Sequence, residues 1–494
     1  MDPTRALGAS KRKGTAESNC AIDGEMSLQI TRKASERGFD SEPIGSTGNS
    51  LWFSNTQKIA KQWVRSPAIA ASILLIWLMS LLPVAAAAES PNPVPPGTVI
   101  TRTNWQQYKQ YMTDGMQALF AGTSFWKFPP DFQVVVGPTH HYPRPPLFLK
   151  ETAQYASQVK IVDLPDGRHT IRDYVAGLPF PDPKEPLKGW KLLVDDWYTY
   201  APHILCNDAC GFTFVDRFGN ISRDQWWFVQ RIQSHIADPG YSTVETPGTF
   251  MTANFYIVSP EEAKYTTLLD VYYEPMERTE NSFLFIPALR RSLRLSVGAR
   301  CSPALGSDFT IDDTRYGAFN GNPSRFDATF VGDRSVLEMP DPDNHLSGDD
   351  THFYQPLFFP KPEVGKWEVR DSWVINAKRV PSERAGYCYG SRVLYVDKEA
   401  YSAIWAELYD SQGKLWKIDY DPQGQVNVPG VGREWSNTGW GVMMDVQNAH
   451  LTRVHLSGAG RGRQANSNCR NLDGHDFTNL DRWSSVRGLA EIVR

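Results

Sequence analysis

Phe283-Leu-Phe-Ile-Pro-Ala-Leu-Arg-Arg-Ser-Leu-Arg-Leu295, followed by Gly306-Ser-Asp-Phe-Thr-Ile-Asp-Asp313, is the stretch on which the reading of this chain turns. An apolar strand stops at Pro287, which has no backbone donor to continue a ladder. A basic cluster of Arg290, Arg291, Arg294 and Arg300 follows, and then the carboxylates Asp308, Asp312 and Asp313. Leu293, Leu295 and Val297 alternate with Ser292, Arg294 and Ser296, the period of a strand with one wet face. Several guanidiniums beside several carboxylates suit a strand corner held by bidentate pairs. The other reading is a site for an anionic head group or an acidic partner loop.

On either side of this stretch the chain reads as a procession of hairpins. Residues 211–216 turn at Arg217-Phe-Gly-Asn220 and return through Ile221; residues 266–273 turn at 275–281 and return as Ser282-Phe-Leu-Phe-Ile286. Further on, residues 393–396 and 403–409 lead through Asp410-Ser-Gln-Gly413 into Lys414-Leu-Trp-Lys-Ile-Asp-Tyr420. Strand–turn–strand spacing of this kind predicts a large antiparallel meander. Two helices are expected before it. One spans 104–121, capped by Thr103 or Asn104, stopped by Gly122, with Trp105, Tyr108, Met112 and Met116 on one apolar face. The second spans 147–159. The fold class is mainly β with helices (α+β): one large curved antiparallel sheet or half-barrel covered by helices.

The last group of strands adds a pattern, Tyr395-Val-Asp397-Lys-Glu399 followed by Gly413-Lys-Leu-Trp416-Lys417. Together with the strand, basic run and carboxylates at 283–313, it resembles the signature of bacterial outer-membrane lipoprotein-sorting proteins of the LolA/LolB-like class. More specifically, Asp131-Phe-Gln-Val-Val-Val-Gly-Pro-Thr-His140 and Tyr174-Val-Ala-Gly-Leu-Pro-Phe-Pro-Asp-Pro183 look like the bacterial domain-of-unknown-function family 1329, over about residues 100–480. The resemblance implies a larger relative of the LolA/LolB fold. It also implies a hydrophobic small molecule or lipid as ligand, and as partners an outer-membrane protein and a resistance-nodulation-division type exporter.

Export is legible on its own. Ala68-Ile-Ala-Ala-Ser-Ile-Leu-Leu-Ile-Trp-Leu-Met-Ser-Leu-Leu82 follows Lys58, Lys61 and Arg65 and precedes Pro83-Val-Ala-Ala-Ala-Ala-Glu89. A basic flank, an apolar core of about 15 residues and a small-residue exit describe a signal peptide or, if uncleaved, a membrane anchor. The expected organisation is a polar extension at 1–65, the signal or anchor at 66–88, and a Pro-rich linker at 89–100. A LolA/LolB-like β domain at 101–480 and a tail at 481–494 complete it. Residues 1–57 of the extension are read either as a disordered cytoplasmic tail or as an over-extended gene start. The expected location is the periplasm, and Cys206-Asn-Asp-Ala-Cys210 is read as a small disulfide loop in preference to a metal pair. Cys388 is left to pair with Cys301 or Cys469.

Without residues 1–88 the chain carries 41 basic and 48 acidic groups, a formal charge of −7 and no basic stripe, which argues against a nucleic-acid partner. There is no Gly-x-Ser-x-Gly elbow, no phosphate-binding Gly-rich loop and no His-Glu-x-x-His helix. His140 and His141 are adjacent on an extended segment and so point to opposite faces; no metal and no cofactor are expected. The favoured reading is a binding or carrier protein whose cavity is lined by Trp105, Tyr108, Met112, Phe212, Phe214, Phe283, Phe285, Leu293, Leu295, Ile404, Leu408 and Trp416. Ile404, Ala406 and Leu408 are expected on one face of their strand, and Trp416, Ile418 and Tyr420 on one face of the next. The alternatives are an exported hydrolase of ester-type apolar substrates and a non-catalytic scaffold of an envelope assembly.

Overall fold

The structure, a computed structural model, describes residues 92–340, 354–355, 357, 359–437, 441–456, 463–472 and 474–491. The expected extension, the signal or anchor segment and the start of the linker lie outside the described residues. Among those described, no helix is long and apolar enough to cross a membrane.

Among the described residues thirteen strands form the path of one sheet. In chain order they are β1 (Ile204–Val215), β2 (Gln225–Ile232), β3 (Thr249–Ser259), β4 (Thr267–Tyr273), β5 (Asn281–Ile286), β6 (Arg291–Arg294) and β7 (Phe326–Glu338). Then come β8 (Glu368–Arg379), β9 (Ser391–Asp397), β10 (Ser402–Tyr409), β11 (Leu415–Tyr420), β12 (Gly441–Asp445) and β13 (His450–Leu456). Their spatial order is 6-5-4-3-2-1-13-12-11-10-9-8-7, antiparallel throughout, with two short strands pairing β1 off the path. The sheet is therefore two meanders laid side by side. Local hairpins build each one, and the first and last strands join them, Phe212 opposite Val454 and Phe214 opposite Thr452. The sheet is open: β6 and β7 are its edges.

Among the described residues five short α-helices accompany it: α1 (Asp114–Ala121), α2 (Pro146–Tyr155), α3 (Lys188–Trp197), α4 (Leu480–Trp483) and α5 (Val486–Glu491). The helix expected at 104–121 is shorter. Two 3₁₀ turns, Trp105–Gln107 and Lys109–Tyr111, precede α1, and the cap is Thr113, whose side chain accepts the Met116 amide at 3.1 Å. Gly122 ends α1 in the left-handed region, as expected. The helix expected at 147–159 is α2 continued by a 3₁₀ turn, Ala156–Gln158.

Side chains divide between the two faces of the sheet. On the first face Ile375, Leu394, Ala403, Ala406, Leu408 and Met443 pack under α3, whose Trp190, Leu193 and Trp197 are buried there. On the second face Val374, Ile404, Trp405, Ile418, Tyr420, Val442 and Met444 pack under the amino-terminal segment with Met112, Met116, Phe120, Phe128 and Phe132. α3 lies so close to β7 that a Cβ on Gly189 would sit 2.4 Å from the Ala328 carbonyl oxygen.

Candidate functional site

The first face carries five of the twelve expected cavity residues together with Leu284, Phe309 and their neighbours from the stretch at 283–313, and it is mostly filled. Residues 295–325 run across it as a chain of loops and 3₁₀ turns, burying Phe309, Ala318 and Phe319 in the same core as α3. Two disulfides are present among the described residues. Cys301 is bonded to Cys388, 87 residues away, and so ties the covering segment to the start of β9. Cys206 is bonded to Cys469, not to Cys210, which is a buried free thiol. The expectation of a small 206–210 loop fails because β1 runs straight through both residues, with a bulge between Asn207 and Cys210. A strand keeps such positions too far apart for a disulfide.

Of the four arginines of the charged cluster, Arg300 is the one that meets one of its three carboxylates among the described residues. Arg290, Arg291 and Arg294 are exposed on the β5–β6 hairpin, and among the described residues none of them pairs with Asp308, Asp312 or Asp313. Arg294 instead donates to the Asn281 side chain. Asp312 takes Arg300 and Arg379, both buried, and Arg300 also meets Glu280 at 2.9 Å. Asp313 accepts from Arg392 at 2.7 Å, from the Tyr389 hydroxyl at 2.7 Å, and from the Thr310 amide and hydroxyl at 2.8 Å each. Burial alone would raise the Asp312 carboxyl; Arg300, Arg379 and Arg392 outweigh it and hold it well below the usual carboxylate range. Asp308 accepts from Thr452 at 2.6 Å and lies 2.8 Å from His450 Nδ1, a hydrogen bond that raises the imidazole above its ordinary value.

Between the covering segment and strands β1–β3 an aromatic pocket of about 70 Å³ remains. Phe212 stands on β1, Trp226, Phe228 and Gln230 on β2, and Phe255 on β3, while Phe309, Asp313, Thr314 and Arg315 come from the covering segment. Period-two alternation aims Trp226, Phe228 and Gln230 the same way. Ring centroids lie 5.3 Å apart for Phe212–Trp226, 5.0 Å for Phe228–Phe255 and 6.0 Å for the stacked Phe212–Phe309 pair. Asp421 and Arg463 close the polar side, the guanidinium lying 4.7 Å from the Phe228 ring centre. Asp224, pushed up to about 7 by burial, accepts the Phe212 amide at 2.6 Å and fixes the strand beside the pocket.

Of the twelve expected cavity residues, only Phe212 lines this pocket. Phe214, Leu295, Leu408 and Trp416 pack on the same face. Leu293, half-buried, is paired with Leu284. Trp105, Tyr108, Met112 and Ile404 belong to the opposite face. Phe283 and Phe285 pack on Leu489 of α5. A bulge explains the misplaced Ile404. The β9–β10 register shifts between Tyr395 and Val396, so Ile404 and Trp405 both face the second side while Ala406 and Leu408 keep the first. A second shift at Leu408/Tyr409 separates Trp416 from Ile418 and Tyr420 in the same way. The residues missed were Trp226, Phe228, Phe255 and Phe309; the alternation of Trp226 and Phe228 was the available signal.

No constellation of a hydrolase is assembled among the described residues. His450 and Asp308 form one His–carboxylate pair with a hydroxyl beside it, but that Thr452 hydroxyl donates to the carboxylate and not to the imidazole. His140 lies 2.6 Å from Glu368 and His141 3.5 Å from Glu399, so the two imidazoles meet different carboxylates. Among the described residues no group of three His, Cys, Asp or Glu has metal-binding geometry.

The family model described as "Protein of unknown function (DUF1329)" matches residues 99–480. An uncharacterized protein of Pseudomonas aeruginosa is 22% identical over 327 residues, 65% of this chain and 67% of that protein. A solved DUF1329-family protein from Desulfovibrio piger aligns with a TM-score of 0.40 and 13% identity, covering 59% of this chain and 98% of its own. A LolA-superfamily protein from Nitrosomonas europaea aligns with a TM-score of 0.34 and 12% identity, covering 56% and 94%.

Proposed function

The chain belongs to the DUF1329 family, and from that premise we propose that it is an exported, periplasmic binding or carrier protein for a hydrophobic, lipid-like molecule. The observation that carries the reading is the aromatic wall of Phe212, Trp226, Phe228, Phe255 and Phe309, with Asp313, Arg315, Asp421 and Arg463 at its polar side. Apolar rings give the driving force, about 0.8 kcal/mol for each methylene taken from water, and the polar groups orient what enters. Its volume of about 70 Å³ is less than half of the ~150 Å³ that holds a benzene-sized guest. The ligand's apolar end enters as Phe309 and its neighbours yield. Two disulfides agree with an oxidising compartment. The outer-membrane protein and the exporter remain the partners to seek by crosslinking in cells.

The test is native mass spectrometry of protein taken from its own periplasm, with titration of the purified chain by N-phenyl-1-naphthylamine. We expect a co-purifying lipid-like species and saturable probe binding that Phe228→Ala weakens about tenfold. An empty protein whose probe binding is unchanged by Phe228→Ala would end the proposal.

A further inference from the structure

A second cleft, sharing no residue with the aromatic pocket, has a different chemistry. It measures about 310 Å³ and is lined by Ile171, Arg172, Asp173, Tyr174, Tyr198, His235, Glu274, Pro275 and Glu277. That size falls at the lower end for small-molecule sites. Four separate segments build it: the end of a short hairpin (His169–Arg172), the residue capping α3, the loop after β2, and the turn after β4.

One wall is aromatic. Tyr174 and His235 have ring centres 4.3 Å apart, and Tyr198 meets His235 edge-on at 5.6 Å. The wall is held in place from behind: the Tyr174 hydroxyl donates to the Gly177 carbonyl at 2.7 Å, and His235 Nδ1 lies 2.7 Å from the Val175 carbonyl. A carbonyl only accepts, so that nitrogen carries the proton. Burial pushes the imidazole pKa down, so His235 is a neutral ring and adds no positive charge to the cleft.

The other wall is acidic. Its one guanidinium, Arg172, is spent on Glu277, and Thr170 donates to the same carboxylate at 2.7 Å. Asp173 is matched by Lys160 at 2.6 Å. Glu274 accepts the Gly248 amide at 3.0 Å, and among the described residues no cation pairs with it. The C-terminal end of α3 also points its partial negative charge toward Tyr198. Aromatic faces next to a carboxylate with no cation partner among the described residues attract a ligand that brings positive charge on an apolar body.

We propose that this cleft binds an organic ammonium group, a quaternary or protonated amine, with Glu274 as its counter-ion and Tyr174, Tyr198 and His235 as its cation–π wall. Such a group reaches the cleft either as a free solute or as the head group of a lipid, and the chemistry recognised is the same.

The test is calorimetric titration of the full chain with choline chloride, beside 3,3-dimethyl-1-butanol, which has the same shape without the charge. Saturable choline binding, at least tenfold stronger than that of the alcohol and weakened about tenfold by Glu274→Gln, is the expected result. Tyr174→Leu, checked for unchanged circular dichroism, should weaken choline and leave N-phenyl-1-naphthylamine binding as it was. Co-sedimentation with phosphatidylcholine vesicles but not phosphatidylglycerol vesicles assigns the cation to a lipid head group, and its absence alongside choline binding assigns it to a free solute. Equal binding of choline and the alcohol, or no binding of either together with no vesicle selectivity, overturns the proposal.

Discussion

Asp312 is wholly buried between Arg300 and Arg379, and Asp313 between Arg392 and Tyr389, so each carboxylate is needed by charges that water cannot reach. Removing one partner of such a group leaves the other uncompensated, which costs ~3–5 kcal/mol. Asp312→Asn is therefore expected to lower unfolding free energy by about that amount in urea titration. Arg290→Ala, on the exposed hairpin, should stay within about 0.5 kcal/mol of the parent. Comparable losses from both variants would show that the ion network is not where the stability lies. At this scale the sequence was half legible: arginine pairing was one of its two readings of the carboxylates at 308–313, and it holds for Asp312 and Asp313, while Asp308 meets Thr452 and His450. The partners Arg379 and Arg392 come from β8 and β9, separated from them by β7, and no local spacing announces such a contact.

At the scale of elements, the covering segment and α3 decide what the first face can hold. Residues 295–325 are anchored at Cys301 through the disulfide, at 300–313 through the ion network, and at Gly317, where a Cβ would come within 2.4 Å of the Ala403 side chain. The anchors leave Phe309 as the ring that meets the pocket. Cys301→Ser with Cys388→Ser is expected to cost ~2–5 kcal/mol, since the bridge closes a long loop. It should also speed the association of N-phenyl-1-naphthylamine, seen by stopped-flow fluorescence. If association is unchanged while stability falls, the covering segment does not gate the pocket. The hairpins β4–β5 and β9–β10–β11 were legible because their turns lie within reach of their strands. α3 was missed. Residues 188–197 form one short helix with Lys188 and Lys191 partly exposed and Asp195 and Asp196 inside, and Leu187 stands at its start in place of a polar cap, so no helix-start signal marks it. Its two carboxylates are tolerated because Asp195 accepts the Phe180 amide and Asp196 the Ala403 amide, each at 2.8 Å.

Across the whole molecule, many carboxyls lie in the interior of the sheet, and their titration sets how stability follows pH. Burial pushes Asp196, Asp224 and Glu407 up to about 7 and Asp270 up to about 6. A folded-state value above that of the unfolded chain contributes stability that is full below about pH 4 and is lost as pH rises through about 7. Glu245 runs the other way. Against the effect of burial, hydrogen bonds from Arg231 and His203 bring it down to about 2, so its contribution is present above about pH 4.5 and lost below. Urea midpoints measured with disulfides intact should therefore be higher near pH 5 than near pH 8. A midpoint that rises steadily to pH 8 would mean that water reaches these carboxyls in the folded chain.

What the sequence determined by itself is what neighbours along the chain can settle: strand-forming alternation, turns at their fixed offsets, the antiparallel meanders, and membership of a family whose pattern spans most of the chain. What only the tertiary structure decided is which residues share a face and a cavity. The bulges at Tyr395/Val396 and Leu408/Tyr409 reverse the alternation midway along β10 and β11. The pairing of β1 with β13 brings together side chains about 240 residues apart, as with Phe212 and Val454. The disulfides follow that pairing. Cys206 lies near Cys469 because the end of the chain returns to β1, whereas Cys210, only a few residues away, is kept out of reach by the stiffness of the strand.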